Sequence, residues 1–299
     1  MERTCLPCYN PPAAPPPDPV RPVPEFSTAA VVASAALLVA ALFAGWLWTR
    51  SGRCPHGRLV WLLYVLAIPL TGGLWRATRN EPCPFPRGPS RPGEDGEPST
   101  TAALIVANHR GPGDPMLLWS RHADVPEQIR PIAFLMAREL YEVPKLKWFY
   151  DALDTIPVAR SGRDMKAVKA ALTRLKDGGL VGLFPEGGIN HDPVKLRPAT
   201  PGAAFLALAT DAPVYPVGLR NAPRGKNIYT ALLKPSRAEI HYGEPIDLSD
   251  LRGKKKSPEV LAEATERIMR RVAELADVEY GGLEGDGETA ETPAPAEST

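Results

Sequence analysis

Asn108-His109-Arg110-Gly111-Pro112-Gly113-Asp114 puts an imidazole and a carboxylate into one short loop. Histidine ionises near neutral pH, so its neutral ring can take a proton, and a nearby carboxylate fixes the tautomer and raises the ring's basicity. The chemistry on offer is general-base removal of a proton from a weakly acidic group. The same residues also have a structural use: Asp114, ahead of Pro115, suits a helix N-cap, and a loop histidine can simply fill space. The chain has no Gly-x-Ser-x-Gly elbow to supply a nucleophile. Its four cysteines, Cys5, Cys8, Cys54 and Cys83, all precede this loop, and the Cys5–Cys8 pair lacks the second pair that a structural zinc site needs.

The elements that must position the loop read as α/β. A strand over Ala102 to Ala107 runs straight into it, and open α/β sheets gather their chemistry at the carboxyl ends of strands. Further strands are expected at Pro131 to Leu135, Thr155 to Val158, Leu180 to Phe184, Val214 to Val217, Ile228 to Leu233 and Ala238 to Tyr242. Apolar Ala167, Val168, Ala171, Leu172 and Leu175 share one face of a helix over Asp164 to Lys176, which Gly178-Gly179 stops. Ser257-Pro258 opens a last helix to about Ala276. The fold class expected is α/β: a mixed, largely parallel central sheet flanked by helices, preceded by an N-terminal transmembrane or interfacial helical region.

The ends have another character. The 299 residues include 35 prolines, more than double the usual ~5%, and 17 of them fall within the first 100 residues. Residues 1–25 are expected as a disordered arm. Residues 26–49 carry no charge and exceed the ~20 residues needed to cross a ~30 Å hydrocarbon core, so they read as a transmembrane helix. Arg50, Arg53 and Arg58 follow it and place the rest of the chain in the cytoplasm by the positive-inside rule. Residues 50–79 read as a basic loop and an interfacial or re-entrant helix, since the apolar run Leu59 to Trp75 is broken by Pro69, Gly72 and Gly73. Residues 80–100 read as a linker, 101–276 as the main domain and 277–299 as an acidic disordered tail. Lys+Arg 35 nearly balance Asp+Glu 34 overall, which argues against a nucleic-acid partner. With a tail that is acidic alone, the centre is net basic and suited to anionic headgroups.

Four ordered blocks bring a family into view. Asn108-His109 with Asp114 resembles the Asn-His-x4-Asp block of the glycerolipid acyltransferases, which include 1-acylglycerol-3-phosphate acyltransferase. Phe184-Pro185-Glu186-Gly187 resembles the second hallmark of that family, Ile156 to Arg160 the block between them, and Val214 to Gly218 the last. The resemblance implies an O-acyltransferase with His109 as base and Asp114 as its holder. Asn108, Arg160, Phe184, Pro185, Glu186 and Gly187 are implied to bind substrate, with Arg160 on a phosphate and Glu186 beside the glycerol or headgroup.

The resemblance further implies direct transfer from acyl-CoA or acyl carrier protein to the hydroxyl of a lysophospholipid in the bilayer, first of all 1-acylglycerol-3-phosphate, giving phosphatidic acid. No metal or tightly bound organic cofactor is implied. There are departures: Gly188-Ile189 stand where the family usually has Thr-Arg, Thr200 where it often has lysine, and Asp154 where it has glycine. The missing cations keep two alternatives open: an acyltransferase for another lysolipid or a hydroxylated aminolipid, and a noncatalytic, membrane-anchored lipid-binding protein of the same fold.

Overall fold

The computed structural model describes residues 28–54, 56–87, 100–123, 128–159, 164–225 and 228–283. Its elements are α1 (Thr28–Ser51), α2 (Arg58–Ile68), a π-helical turn (Pro69–Leu74), β1 (Thr78–Arg79), β2 (Ala103–Ala107), α3 (Asp114–Arg121), β3 (Ile132–Ala137), α4 (Arg138–Tyr141), α5 (Lys147–Ala152), β4 (Ile156–Val158), α6 (Met165–Lys176), β5 (Leu180–Leu183), α7 (Gly202–Thr210), β6 (Val214–Arg220), α8 (Ile228–Leu232), β7 (Glu239–Tyr242) and α9 (Pro258–Ala276). The chain divides into two units after Trp46. The first is described from residue 28 and is the helical start of α1, whose Leu37, Leu38, Val39, Leu42 and Phe43 are exposed. Val32–Ser51 is long and apolar enough to cross a membrane.

In the second unit one sheet has the order β1-β7-β6-β2-β5-β3-β4. Strands β6, β2, β5, β3 and β4 are parallel, β7 is antiparallel to β6, and β1 is parallel to β7, so the sheet is mixed and largely parallel as expected. All five residues of β2 are buried, as in a strand covered on both faces. Period-two alternation divides them: Ala103, Ile105 and Ala107 join a core with α2 and α3, and Leu104 and Val106 join one with α6, α7 and α9.

The two long helices behave as their sequences require. Asp164 caps α6 by accepting from the amides of Lys166 and Ala167, and Ser257 caps α9 through the amide of Val260. Other expectations need correction. Ile228 to Leu233 was expected as a strand from its β-branched and aromatic residues, yet it contains helix α8. The outer edge of β7 is already taken by β1, which leaves no edge there for a further strand. Helix α7, with no polar face, was not foreseen; Ala203, Ala204, Leu206, Ala207 and Leu208 are buried.

The boundaries of the domain also move. Residues 80–87, expected as linker, carry Cys83 and Phe85 into the core, where the Phe85 ring meets those of Tyr215 and Tyr242 edge-on. Helix α2 buries Val60, Trp61, Tyr64 and Ala67, and the Tyr64 hydroxyl donates to the Ala123 carbonyl at 2.6 Å. The opposite side of α2 leaves Leu59, Leu62 and Leu66 exposed. The tail starts ordered: Glu279 exchanges backbone bonds with Val194 and Leu196 at 2.7 and 2.8 Å. The N-terminal arm and residues 284–299 lie outside the described residues.

Candidate active site

Strand β2 ends beside β6, and Asn108 prolongs the pairing with its side chain. The amide Nδ2 donates to the Leu219 carbonyl at 3.0 Å, and Oδ1 accepts from the Leu219 N–H at 2.7 Å. Asn108 is fully buried and bonds β6 through both its amide nitrogen and its oxygen, so it anchors the end of the strand.

The loop that follows is curled around one oxygen. Asp114 Oδ2 accepts from Arg110 N at 2.6 Å and Gly111 N at 2.9 Å, and lies 2.9 Å from His109 Nδ1. Asp114 is therefore not the N-cap; Gly113 is, and Asp114 opens α3 with its carboxylate turned back into the loop. A carboxylate accepts only, so Nδ1 carries the proton and Nε2 presents its lone pair. Asp114 is fully buried and the His109 side chain is 17% exposed, which leaves the ring reachable. Close approach explains the glycines: a Cβ on Gly111 would lie 2.4 Å from the Pro223 carbonyl oxygen, and one on Gly113 would lie 2.7 Å from the Trp75 ring.

The second hallmark holds His109 from the other side. Phe184 to Gly187 form a turn closed by Gly187 N to Phe184 O at 3.1 Å, with Gly187 at φ 69. Thr200 ties that turn down, its N–H donating to the Pro185 carbonyl at 2.9 Å. The Phe184 ring stacks on the His109 ring at 4.2 Å and 14°, and on Phe134 behind it.

Glu186 is 5% exposed. Its Oε1 accepts from His109 N at 2.9 Å, and its Oε2 accepts from Asn190 Nδ2 at 2.7 Å and Arg197 N at 3.0 Å. The His109 carbonyl in turn accepts from Asn190 N at 2.7 Å. Both backbone groups of the histidine are thus held by the segment after β5. Glu186, expected beside the headgroup, spends its carboxylate on this clamp.

Arg160 lies outside the described residues. Its flanks are ordered by Asp164, which accepts from Ala159 N at 2.9 Å and from Arg138 Nη2 at 2.7 Å. Hydrogen bonds from the amides of Ala159 and Ala167 hold the Asp164 carboxyl below the ordinary carboxylate range. Because β2, β5, β3 and β4 are parallel, His109, Glu186, Arg138 and Ala159 follow strand ends on the same edge of the sheet. Asp154, where the family has glycine, stands at φ 57, in the left-handed region that glycine occupies freely, and pairs with Arg174 at 2.8 Å.

Two members of the site carry no motif. Asn190 works through nonlocal bonds, although its place four residues after Glu186 was a usable signal. Arg110 is buried, donates to the Asp192 carbonyl, and has its guanidinium pKa lowered by burial, with the opposing pull of Glu186 next.

The site is a base with a defined tautomer and a free lone pair, fit to deprotonate an alcohol. Residues 92–220 match the acyltransferase family model. The chain is 27% identical over 178 residues to the 1-acyl-sn-glycerol-3-phosphate acyltransferase of Bacillus subtilis, covering 60% of this chain and 83% of that one. It is 27% identical over 174 residues to the Streptococcus pneumoniae protein of the same name, 58% of this chain and 60% of that one. Among solved structures, the 1-acyl-sn-glycerophosphate acyltransferase PlsC of Thermotoga maritima shares the fold with TM-score 0.50 at 21% identity, over 78% of this chain and 88% of that one.

The protein is an acyltransferase. Within that class it is similar to the 1-acyl-sn-glycerol-3-phosphate acyltransferases.

Proposed function

We propose that the protein is a membrane-anchored O-acyltransferase that moves an acyl chain from acyl-CoA or acyl carrier protein to the hydroxyl of a lysophospholipid, with 1-acylglycerol-3-phosphate as acceptor and phosphatidic acid as product. The observation that carries the mechanism is the 2.9 Å contact of Asp114 Oδ2 with His109 Nδ1, which commits Nε2 to proton acceptance. The acceptor hydroxyl gives its proton to Nε2 as its oxygen attacks the thioester carbonyl carbon. The C–S bond then breaks, and the leaving thiolate takes the proton back from the imidazolium. Asp114 stabilises that imidazolium, and no acyl-enzyme forms.

The acceptor class rests on the names of the relatives and on the net basic centre of the chain. For the anchor, the support is the apolar Val32–Ser51 stretch, and Arg50 and Arg53 at its end favour a cytoplasmic catalytic domain. The exposed Leu59, Leu62 and Leu66 of α2 add an apolar surface suited to the same leaflet.

The test is the full chain in nanodiscs with one acyl-CoA or acyl carrier protein and a panel of lysolipids and hydroxylated aminolipids, products read by mass spectrometry. Phosphatidic acid is the expected product, and His109→Ala should slow its formation by at least ~10²-fold. Unchanged turnover in that variant would refute the mechanism; acylation of a different acceptor alone would refute the substrate.

A further inference from the structure

Gly188 and Ile189 offer no charge directly after the Pro-Glu-Gly turn, yet a cation reaches the place from elsewhere in the chain. The Arg197 Nη1 lies 3.2 Å from where a Cβ on Gly188 would stand. The backbone of Arg197 is held there by its N–H bond to Glu186 Oε2 at 3.0 Å, and the other oxygen of that carboxylate holds His109 N at 2.9 Å. One carboxylate therefore fixes both the base and the segment that carries this guanidinium. Arg197 is half-buried, and among the described residues its guanidinium has no hydrogen bond or ion pair. A partly shielded guanidinium with no anion bound to it is an open fork, suited to the paired oxygens of a phosphate.

The neighbouring cations divide on this point. Lys195 turns away, its Cε lying 2.7 Å from where a Cβ on Gly281 would be, on the side of the chain's ordered tail. On the near side, His191 and Arg224 line an open cleft of about 350 Å³ together with Ile189. That cleft adjoins the base loop, because the Asn190 N–H bonds the His109 carbonyl and the Pro223 carbonyl crowds Gly111.

We infer that Arg197 binds the phosphate of the acceptor headgroup and sets the specificity of the enzyme for phosphate-bearing lysolipids. This rests on the acyl-transfer reading above. Arg197 grips substrate before and during transfer alike, so it governs acceptor binding more than the chemical step.

The experiment compares the full-length wild type, Arg197→Gln and Arg197→Lys with two acceptors, 1-acylglycerol 3-phosphate and the corresponding monoacylglycerol. Arg197→Gln is expected to raise KM for the phosphorylated acceptor tenfold or more with kcat within about twofold, while KM for monoacylglycerol stays unchanged. Arg197→Lys keeps the charge without the fork and falls between. The inference is overturned if KM for the phosphorylated acceptor does not move, or if it rises equally for both acceptors, as mere loss of structure would produce. A wild-type enzyme that acylates monoacylglycerol but never the phosphorylated acceptor overturns the proposed substrate and this inference together. Phosphatidic acid made equally well by Arg197→Gln overturns the inference alone.

Discussion

Glu186→Gln separates a carboxylate that holds the site together from one that touches the substrate. The side chain keeps its size, but one acceptor oxygen becomes an NH2 donor. Three N–H groups point at this carboxylate: His109 N on Oε1, and Asn190 Nδ2 and Arg197 N on Oε2. In its better orientation, glutamine keeps its oxygen on the latter two and opposes its NH2 to the His109 amide. Glu186 is 5% exposed, so water cannot easily take over that donor. Leaving one buried donor unpaired costs about 1–3 kcal/mol. Urea unfolding of the full chain in detergent should report a loss of that size. Release of the His109 backbone also misplaces Nε2, and a displacement near 1 Å costs about 10²-fold in rate. The expected signature is therefore a lower kcat at nearly constant KM for the acceptor, with lower stability. A variant of wild-type stability and kcat with a raised acceptor KM would refute the clamp and return Glu186 to the substrate.

Two further predictions concern stability. His122 is buried between the Trp119 carbonyl and the Arg130 N–H, which donates to its Nε2 at 3.0 Å; burial, with a smaller push from the Arg130 guanidinium, lowers its pKa to about 4. The unfolded chain takes up this proton below about pH 6.5 and the folded one only near 4, so stability falls as the pH drops through that window. At about 1.4 kcal/mol per pH unit the full effect is roughly 3 kcal/mol, and unfolding titrations should find the slope flattened in His122→Gln; an unchanged slope would refute the assignment. Asp154, at φ 57, should respond oppositely to two small replacements. Asp154→Ala keeps the left-handed strain, about 1–2 kcal/mol, and loses the Arg174 pair, whereas Asp154→Gly sheds the strain, so thermal unfolding should rank the glycine variant above the alanine variant.

The sequence alone carried what local chemistry can encode. Helices α6 and α9 announce themselves by an apolar face and a capping Asp164 or Ser257, and β2 by a run of five apolar residues. The order of the motifs along the chain likewise marked His109 and Asp114 as partners, and their 2.9 Å contact lies only five residues apart. Helix α8 misled because its composition favours a strand, while the edges of β7 were both taken.

Roles within the site were decided by tertiary structure. Glu186 meets the His109 amide across 77 residues, and Asn108 meets Leu219 across 111. Both look like substrate ligands in a motif, yet Asn108 bonds the backbone of β6 and Glu186 bonds two backbone amides and the Asn190 side chain, because a buried polar group takes the nearest partner the fold brings to it. Arg197, with no motif at all, comes to stand at Gly188 because the same carboxylate draws its backbone inward. Composition and periodicity could determine which residues are present and which elements form. Only the packed sheet decides which donors converge on which oxygen, since hydrogen bonds are short and directional and their partners lie far apart in the chain.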